Sequence, residues 1–501
     1  MAHSTNGTAD ILDIEVRQFF QKGLELYGMN GHNNPARLTP AIKKYGADLT
    51  YRNELSIGDA QLLRQMLSTG PRVRKLHLHR TMYEAFRVAF HHRGECDSLK
   101  EVHFGLVDCS GRDLGISRCG LFGRLHSLHL SCINTGSAFA EDIASYIKQN
   151  KLLRELGLSG SCGGVEGVAI LIATLTENDT LKKFSLAEVR LPSDSLIAFA
   201  KMLASNSALE LVDLTGVCPV EKNQVTSLLS EELYSGVFKR LKICWPVQLI
   251  SEVTELIRKE RCCPQLYVNF AGAGAQDDLQ CFFENVFEDK LLYGLHVEFT
   301  EGIFLDVVDD IVCGVESTTL FELSFVIRGP CNHNGELISI LEAFRKNFSI
   351  TKLSISTGVL MPNTAMAVSE LLARNRVLNH VAISDHQGFS SADVKTITKG
   401  LRKNYRLISL DIRYESDSTK ERSEITALLE RNIMLLHKAA DFVISGAGVS
   451  DETSVDALIK VYSSAHLVEL VQKMTGRTKG ETIDAIHAAL QHARKSHAYY
   501  N

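Results

Sequence analysis

A six-residue apolar phrase recurs along this chain. Leu125, Leu128 and Leu130 return 28 residues later as Leu153, Leu156 and Leu158, so that both phrases read L-x-x-L-x-L. Apolar residues that alternate over so short a segment predict a strand with one buried face. The segment AFAEDIASYIKQN, which lies between the phrases, has apolar residues at helical spacing. The sequence therefore predicts a repeated unit of strand, loop and amphipathic helix.

The phrase occurs thirteen times, at spacings of 25 to 30 residues. Its first apolar positions are Val73, Leu99, Leu125, Leu153, Leu181, Leu209, Phe238, Cys263, Leu292, Leu320, Ile350, Leu378 and Leu407. A period of about 28 residues leaves room for a strand, a loop and a full helix in each unit. The phrase at Cys263, CPQLYV, is the least regular, and its register is open by one or two residues.

An asparagine three residues before the first apolar position marks several units. The asparagines are Asn150, Asn178, Asn206, Asn347, Asn375 and Asn404, and Asn432 repeats the mark once more. Because asparagine tolerates the left-handed conformation that closes a helix, these positions predict a helix end followed by a turn.

The chain on either side of the repeats departs from the pattern. Residues 1–72 predict a helical N-terminal cap, with a first helix in residues 11–31, residues 73–435 an array of about 13 repeats, and residues 436–501 a helical C-terminal cap. Such caps are expected because the end units of a repeat stack would otherwise expose apolar surface.

The thirteen phrases resemble leucine-rich repeats of the ribonuclease-inhibitor type, which also occur in the repeat regions of NLR-family receptors and in Ran GTPase-activating protein. This resemblance covers residues 73–435 and implies an α/β solenoid, a horseshoe with a parallel concave sheet, convex helices and helical caps. No G-x-x-x-x-G-K-[ST] loop is present, so we expect the repeat part of such a receptor without its nucleotide-binding domain.

One feature departs from the family pattern. Such repeats commonly carry Asn or Cys nine or ten positions into the unit, where the side chain bonds the loop backbone. Here a mixed set stands there: Ile133, Asn134, Ser161, Cys162, Val189, Val217, Cys218, Arg328 and Gly358. We therefore expect less regular loops than in the family, especially after Leu320.

Charge and cysteine content narrow the class of protein. The net charge of −5, from 54 basic and 59 acidic residues, gives no general attraction to nucleic acid or membrane surfaces. We expect no secretory leader and no membrane span, because no apolar run reaches about 18 residues. Twelve scattered cysteines do not resemble the disulfide framework of a small secreted domain. These features favour a cytoplasmic protein.

The fifth phrase position forms a column on the concave face. It comprises His77, His103, His129, Gly157, Ser185, Asp213, Lys242, Tyr267, His296, Ser324, Ser354, Ala382 and Asp411. Three consecutive histidines are typical of a pH-sensitive or metal-binding strip, but they also occur as ordinary surface residues. Since no carboxylate joins the column beside them, we predict neither a metal site nor a cofactor.

Two patches, together with His103 and His129 of the column, are candidate partner-binding sites. The first strand offers Arg74, Lys75 and His77 to an acidic partner, although solvated surface charge explains them equally well. The middle of the chain has aromatic and basic residues that suit a protein partner on the concave face, namely Lys239, Lys242, Trp245, Tyr267, Tyr293 and His296. The alternative is that Trp245 and Phe270 fill the core.

The sequence gives no support for catalysis, because it has no G-x-S-x-G, H-E-x-x-H or paired C-x-x-C motif. We expect a protein-interaction scaffold or adaptor rather than an enzyme. One alternative is a GTPase-activating protein similar to that for Ran, which would use Arg80, Arg112 or Arg118. Another is a substrate adaptor of a ubiquitin ligase or an innate-immune regulator. The sequence indicates neither the identity of the protein partner nor the oligomeric state.

Overall fold

A computed structural model describes most of the chain beyond residue 46. The described residues are 47–68, 73–91, 98–109, 112–133, 135–160, 162–189, 194–216, 226, 228–229, 234, 236–271, 276–300, 305–328, 334–358, 362–385, 388–414, 419–445 and 452–500. The helix predicted within residues 11–31 lies outside them. The chain divides into two compact units, residues 1–244 and 245–501.

The first unit contains an eight-stranded sheet in the order β1 to β8, with all seven neighbouring pairs of strands parallel. The strands are β1 Ala47–Leu55, β2 Val73–Met82, β3 Glu101–Asp108, β4 Ser127–Ile133, β5 Glu155–Gly160, β6 Lys183–Ala187, β7 Leu211–Gly216 and β8 Leu241–Lys242. The helices are α1 Ile57–Ser68, α2 Tyr83–Phe90, α3 Ser137–Gln149, α4 Gly164–Glu177 and α5 Ser195–Ser205.

The second unit contains a seven-stranded sheet in the order β9 to β15. Its strands are β9 Cys244–Pro246, β10 Gln265–Phe270, β11 Gly294–Phe299, β12 Glu322–Ile327, β13 Lys352–Thr357, β14 His380–Ser384 and β15 Ser409–Ile412. The helices that follow them are α6 Ile250–Arg258, α7 Gln276–Glu288, α8 Leu305–Ser317, α9 Asn334–Phe344, α10 Pro362–Arg374 and α11 Ser391–Arg402.

These elements confirm the predicted α/β solenoid, because parallel strands alternate with helices in both sheets. Each of the thirteen phrases contains or leads into a strand, including the irregular phrase at Cys263, where Leu266 and Val268 are buried as the register requires. The described strands form two sheets, and the first sheet ends at β8, which is only two residues long.

The secondary structure differs from the prediction at two places. Strand β1 lies within the segment predicted to be a helical cap, and it pairs with β2 in parallel. Between β3 and β4 the expected α-helix is replaced by two short 3-10 turns, Ile116–Arg118 and Gly120–Phe122. The buried carboxylate of Asp142 accepts hydrogen bonds from the backbone N–H groups of Ile116 and Ser117 at 2.7 and 3.0 Å. That carboxylate thus holds the first turn against α3.

Consecutive described helices pack against one another, as α3 does with α4 and α10 with α11, so they lie on the same face of their sheet. Consecutive parallel strands joined by right-handed crossovers place all their helices on the same side. The strands agree with this arrangement, since fully buried residues alternate with partly exposed ones, as in QLYVNF of β10 and GLHVEF of β11. We call the opposite side the open face, and the fifth phrase position lies on it.

The repeat asparagines form a network of buried hydrogen bonds. Asn404 is 1% exposed, and its Oδ1 accepts the backbone N–H groups of Arg406 and Leu407, both at 2.8 Å. Its Nδ2 donates to the carbonyl oxygen of Leu372 in the preceding repeat at 2.8 Å. Asn206 and Asn375 make the same set of bonds. Each amide therefore joins the start of one strand to the end of the previous helix.

The conformation predicted for these asparagines is wrong. Asn150, Asn178 and Asn206 have φ values of −86°, −84° and −95° with extended ψ, so the chain leaves each helix without a left-handed residue. Asparagine is needed at this position because of its side-chain amide. The amide oxygen accepts from backbone N–H groups of one repeat, and the amide nitrogen donates to a backbone carbonyl of the repeat before it. Asn432 differs again, because it lies inside a helix and donates to the Leu407 carbonyl at 2.8 Å.

Four helices follow the second sheet: α12 Thr419–Ser445, α13 Glu452–Val461, α14 Ala465–Thr475 and α15 Lys479–Tyr500. They share an apolar core that includes Leu436, Phe442, Leu458, Leu467 and Ile486. Within the described part of the chain, no helix combines the length and the apolar character that crossing a membrane requires.

Replacement of Asn404 by Ala is expected to destabilise the second unit by about 3 kcal/mol, because buried backbone donors and a carbonyl lose their partners. Urea unfolding followed by circular dichroism measures this change. The control is Lys403→Ala, at an exposed neighbouring position, where a change within about 0.5 kcal/mol is expected. Equal midpoints for the two variants would contradict a structural role for the amide.

Candidate functional site

The predicted fifth-position column is present on both sheets. In the first sheet, His77, His103, His129, Gly157, Ser185, Asp213 and Lys242 are successive cross-strand partners. In the second, the same holds for Tyr267, His296, Ser324, Ser354, Ala382 and Asp411. The phrase register read from the sequence therefore fixed which side chains become neighbours.

Three histidines form what we call the imidazole stack: His77, His103 and His129. The ring centroids of His77 and His103 are 4.4 Å apart, and those of His103 and His129 are 4.1 Å apart. Both pairs are nearly parallel, with interplanar angles of 23° and 16°. Gly157 ends the stack, since a Cβ atom there would collide with Nδ1 of His129.

Carboxylates do join the stack, which corrects the prediction. Glu101 Oε1 lies 3.2 Å from Nε2 of His103 and 3.7 Å from Nε2 of His77. Glu155 Oε1 lies 3.6 Å from Nε2 of His129. Each glutamate occupies the third phrase position, two residues before the fifth, and therefore points to the same face. The signal was present in the sequence as E-x-H at Glu101 to His103.

Burial governs the protonation of the stack. The pKa of His103 is lowered to about 4 by burial of its ring and by the charges of His129 and His77, against the opposing charge of Glu101. Burial also lowers the pKa of His129, although Glu155 and Glu101 oppose it. Burial would raise the pKa of Glu101, but the hydrogen bond and charge of Lys75, 2.7 Å away, bring it below its ordinary value. His103 is therefore neutral at neutral pH.

The basic cluster of the first strand is only partly available to a partner. Arg74 is exposed, whereas Lys75 is engaged with Glu101. Arg112 and Arg118, which a GTPase-activating role would require, form ion pairs with Glu84 at 3.3 Å and Asp113 at 2.8 Å. Arg80 is exposed.

Two residues of the middle patch lie in the core, which corrects their prediction as contact residues. Trp245 is 3% exposed, so its ring packs inside, as the alternative interpretation held. Lys242 is also buried, and its Nζ lies 2.9 Å from Oδ2 of Asp213 on the neighbouring strand. Phe270 and Phe299 are core residues too. Lys239 is exposed at the end of a short 3-10 turn.

The remaining aromatic residues of that patch lie at the surface. Tyr267 and His296 are partly exposed on the open face and stack with ring centroids 4.7 Å apart. Tyr293 lies elsewhere, at the strand entrance of β11, where its ring stacks on Phe321 at 5.4 Å. The middle patch is therefore divided between the open face and the edge where the strands begin.

We define the entry-edge patch as Tyr293, Phe321 and Phe348. These side chains are 40%, 41% and 83% exposed. Phe321 and Phe348 also line a cleft of about 620 Å³, together with Tyr462 just after α13 and Ile486 of α15. Sequence reasoning missed both residues, although Phe321 is the second residue of its phrase and Phe348 lies two residues before the phrase that begins at Ile350.

The phrases, their strands and the intervening helices define a protein with leucine-rich-repeat character. No family model matches the chain. The chain is similar to mouse NACHT, LRR and PYD domains-containing protein 12, with 36% identity over 93 residues. The match covers 18% of this chain and 9% of that protein, so the chain spans only a small fraction of the relative's length.

Two solved structures are also similar. The yeast Rad7 and Elc1 complex has a chain with a TM-score of 0.41 and 14% identity, covering 83% of this chain and 96% of that one. The actin-binding site 2 of leiomodin-1 gives a TM-score of 0.28 and 18% identity, covering 32% of this chain and 92% of that one. Since both TM-scores are below 0.5, neither likeness adds to the description of the fold.

The His103 ring is expected to titrate with a midpoint near pH 4, as measured by the NMR shift of its Cε1 proton. Because its pKa is lower in the folded protein than in the unfolded chain, the unfolded chain takes up protons first as the pH falls below about 6.5. Stability is therefore lost between about pH 6.5 and 4, and His103→Gln should lose less over this range. A midpoint near 6.5 would contradict burial as the dominant influence.

Proposed function

We propose that this chain is a non-enzymatic scaffold that binds a protein partner through the second unit. The entry-edge patch is the observation that carries the proposal. Three aromatic side chains from successive repeats are exposed together beside a cleft, and exposed aromatic anchors of this kind commonly dominate protein interfaces. The predicted anchor Trp245 is thereby replaced by Tyr293, Phe321 and Phe348.

The geometry of the patch suits a protein segment rather than a small polar ligand. Tyr293 and Phe321 are held by mutual stacking and by the backbone of two paired strands, so little side-chain freedom would be lost on binding. The cleft next to Phe348 has room for an apolar side chain of the partner. Tyr267 and His296 on the open face provide a second, more polar contact surface.

We further propose that the repeats are of the ribonuclease-inhibitor type and that the chain acts as a cytoplasmic adaptor. The period of about 28 residues, with a strand and a helix in most units, supports the repeat type. Nine cysteines of the described residues form no disulfide, which suits a reducing compartment. The similarity to mouse NACHT, LRR and PYD domains-containing protein 12 supports the leucine-rich-repeat character of the proposed adaptor. No described residue arrangement favours the GTPase-activating alternative.

The triple variant Tyr293→Ala, Phe321→Ala and Phe348→Ala is expected to reduce recovery of specific partners in quantitative affinity capture. With a purified partner, the dissociation constant should rise at least about tenfold, since hot-spot aromatics each contribute more than about 1 kcal/mol. The control is Met366→Ala with Met434→Ala, two exposed residues on helices α10 and α12.

A parallel variant, Tyr267→Ala with His296→Ala, locates the contact. If only this variant loses the partner, the open face binds and the entry-edge patch does not. If the triple variant and the helix control capture the same partners equally, the proposed site is wrong. Thermal melts of all the variants separate lost binding from lost folding.

A further inference from the structure

Three donor atoms converge on the open face of the first sheet. They are one ring nitrogen of His77, a carboxylate oxygen of Glu101 and one ring nitrogen of His103, and all lie within 4.8 Å of one another. Glu101 Oε1 is 3.7 Å from Nε2 of His77 and 3.2 Å from Nε2 of His103. Ligands of one tetrahedral ion with bonds of about 2.0–2.1 Å lie roughly 3.3 Å apart. The three atoms are therefore close to the spacing that a shared metal ion needs.

The backbone holds these groups in place. His77 and His103 are direct cross-strand partners on β2 and β3, and Glu101 lies two residues before His103 on the same face. The His103 ring is also confined between the rings of His77 and His129. The backbone positions are therefore fixed, but the rings of His77 and His103 are stacked nearly parallel, so the more exposed His77 ring has to turn about its side-chain bonds before the in-plane lone pairs of both rings meet one ion.

We propose that His77, Glu101 and His103 form a binding site for a transition-metal ion of the Zn²⁺ class. Two imidazole nitrogens and one carboxylate oxygen suit such ions, whereas Ca²⁺ and Mg²⁺ take mainly oxygen ligands. Three protein ligands leave at least one coordination position for water or another donor. This site is on the first sheet and does not depend on the partner-binding role of the second unit.

The positive charge of Lys75 is expected to oppose metal binding at this site. Its Nζ lies 2.7 Å from Oε2 of Glu101, the oxygen that does not contact the histidines. A positive charge at this position competes with a metal ion for the carboxylate and repels it. Removal of the charge should strengthen metal binding, whereas removal of any of the three ligands should weaken it.

Zn²⁺ binding to the full-length chain would be measured by isothermal titration calorimetry, beside the variants His77→Gln, Glu101→Gln and His103→Gln. Each substitution is expected to weaken binding by tenfold or more. Lys75→Met should strengthen it by roughly tenfold. The control, His126→Gln, removes an exposed histidine at the entrance of neighbouring β4 and should leave the affinity unchanged.

Cysteines elsewhere in the chain are the main competing ligands, and Co²⁺ distinguishes them. Co²⁺ at the proposed site should lack a thiolate-to-metal charge-transfer band and should be lost in Glu101→Gln. Thermal melts establish that each variant is folded. The proposal is overturned if Zn²⁺ binds no more tightly than about millimolar, if the Co²⁺ spectrum shows thiolate ligands only, or if the three ligand variants bind like the parent chain.

Discussion

The hydrogen bonds of the repeat asparagines couple several repeats to the one before, as at Asn206, Asn375 and Asn404. A buried helix end and a buried strand start both leave backbone groups that cost free energy when unpaired. One asparagine amide satisfies both sets, as Asn206 does by accepting from Ala208 and Leu209 and donating to Leu175 and Asn178. Where the pattern breaks, a guanidinium takes over, since Arg240 donates to the carbonyl oxygens of Asn206, Leu209 and Leu203. The repeats consequently stack in one register.

The register of the strands determines which side chains are neighbours on the open face. Neighbouring strands are about 4.8 Å apart, close to the distance at which aromatic rings stack. Planar side chains at the same phrase position of neighbouring strands therefore come within stacking distance. His77, His103 and His129 stack in this way on the first sheet, and Tyr267 and His296 on the second. Such side chains are ordered before any ligand arrives.

Sequence periodicity predicted the strands and the fifth-position column because both depend on local spacing. It missed strand β1, whose pairing with β2 is not encoded by the phrase. It also predicted the wrong backbone conformation for the asparagines. Asparagine is favoured both at a left-handed helix end and where a side-chain amide bridges two repeats, so the residue type alone does not distinguish these roles. Burial of Trp245 and Lys242, and the contact of Glu101 with two histidines, depend on side chains from neighbouring strands. These contacts became visible only once the strands were placed side by side.

The two candidate surfaces call for different ligand chemistry. Around the imidazole stack, Lys75 and Glu101 already balance each other, so an incoming protein would gain little charge energy there. The ring nitrogens of His77 and His103, with Oε1 of Glu101, suit a small cation instead. The entry-edge patch has a more apolar character, because three aromatic side chains are exposed there and Phe348 is 83% exposed. Its favourable partner is apolar surface, which removes that area from water at about 25 cal/mol per Å². A protein segment therefore fits the second unit, and a metal ion fits the first.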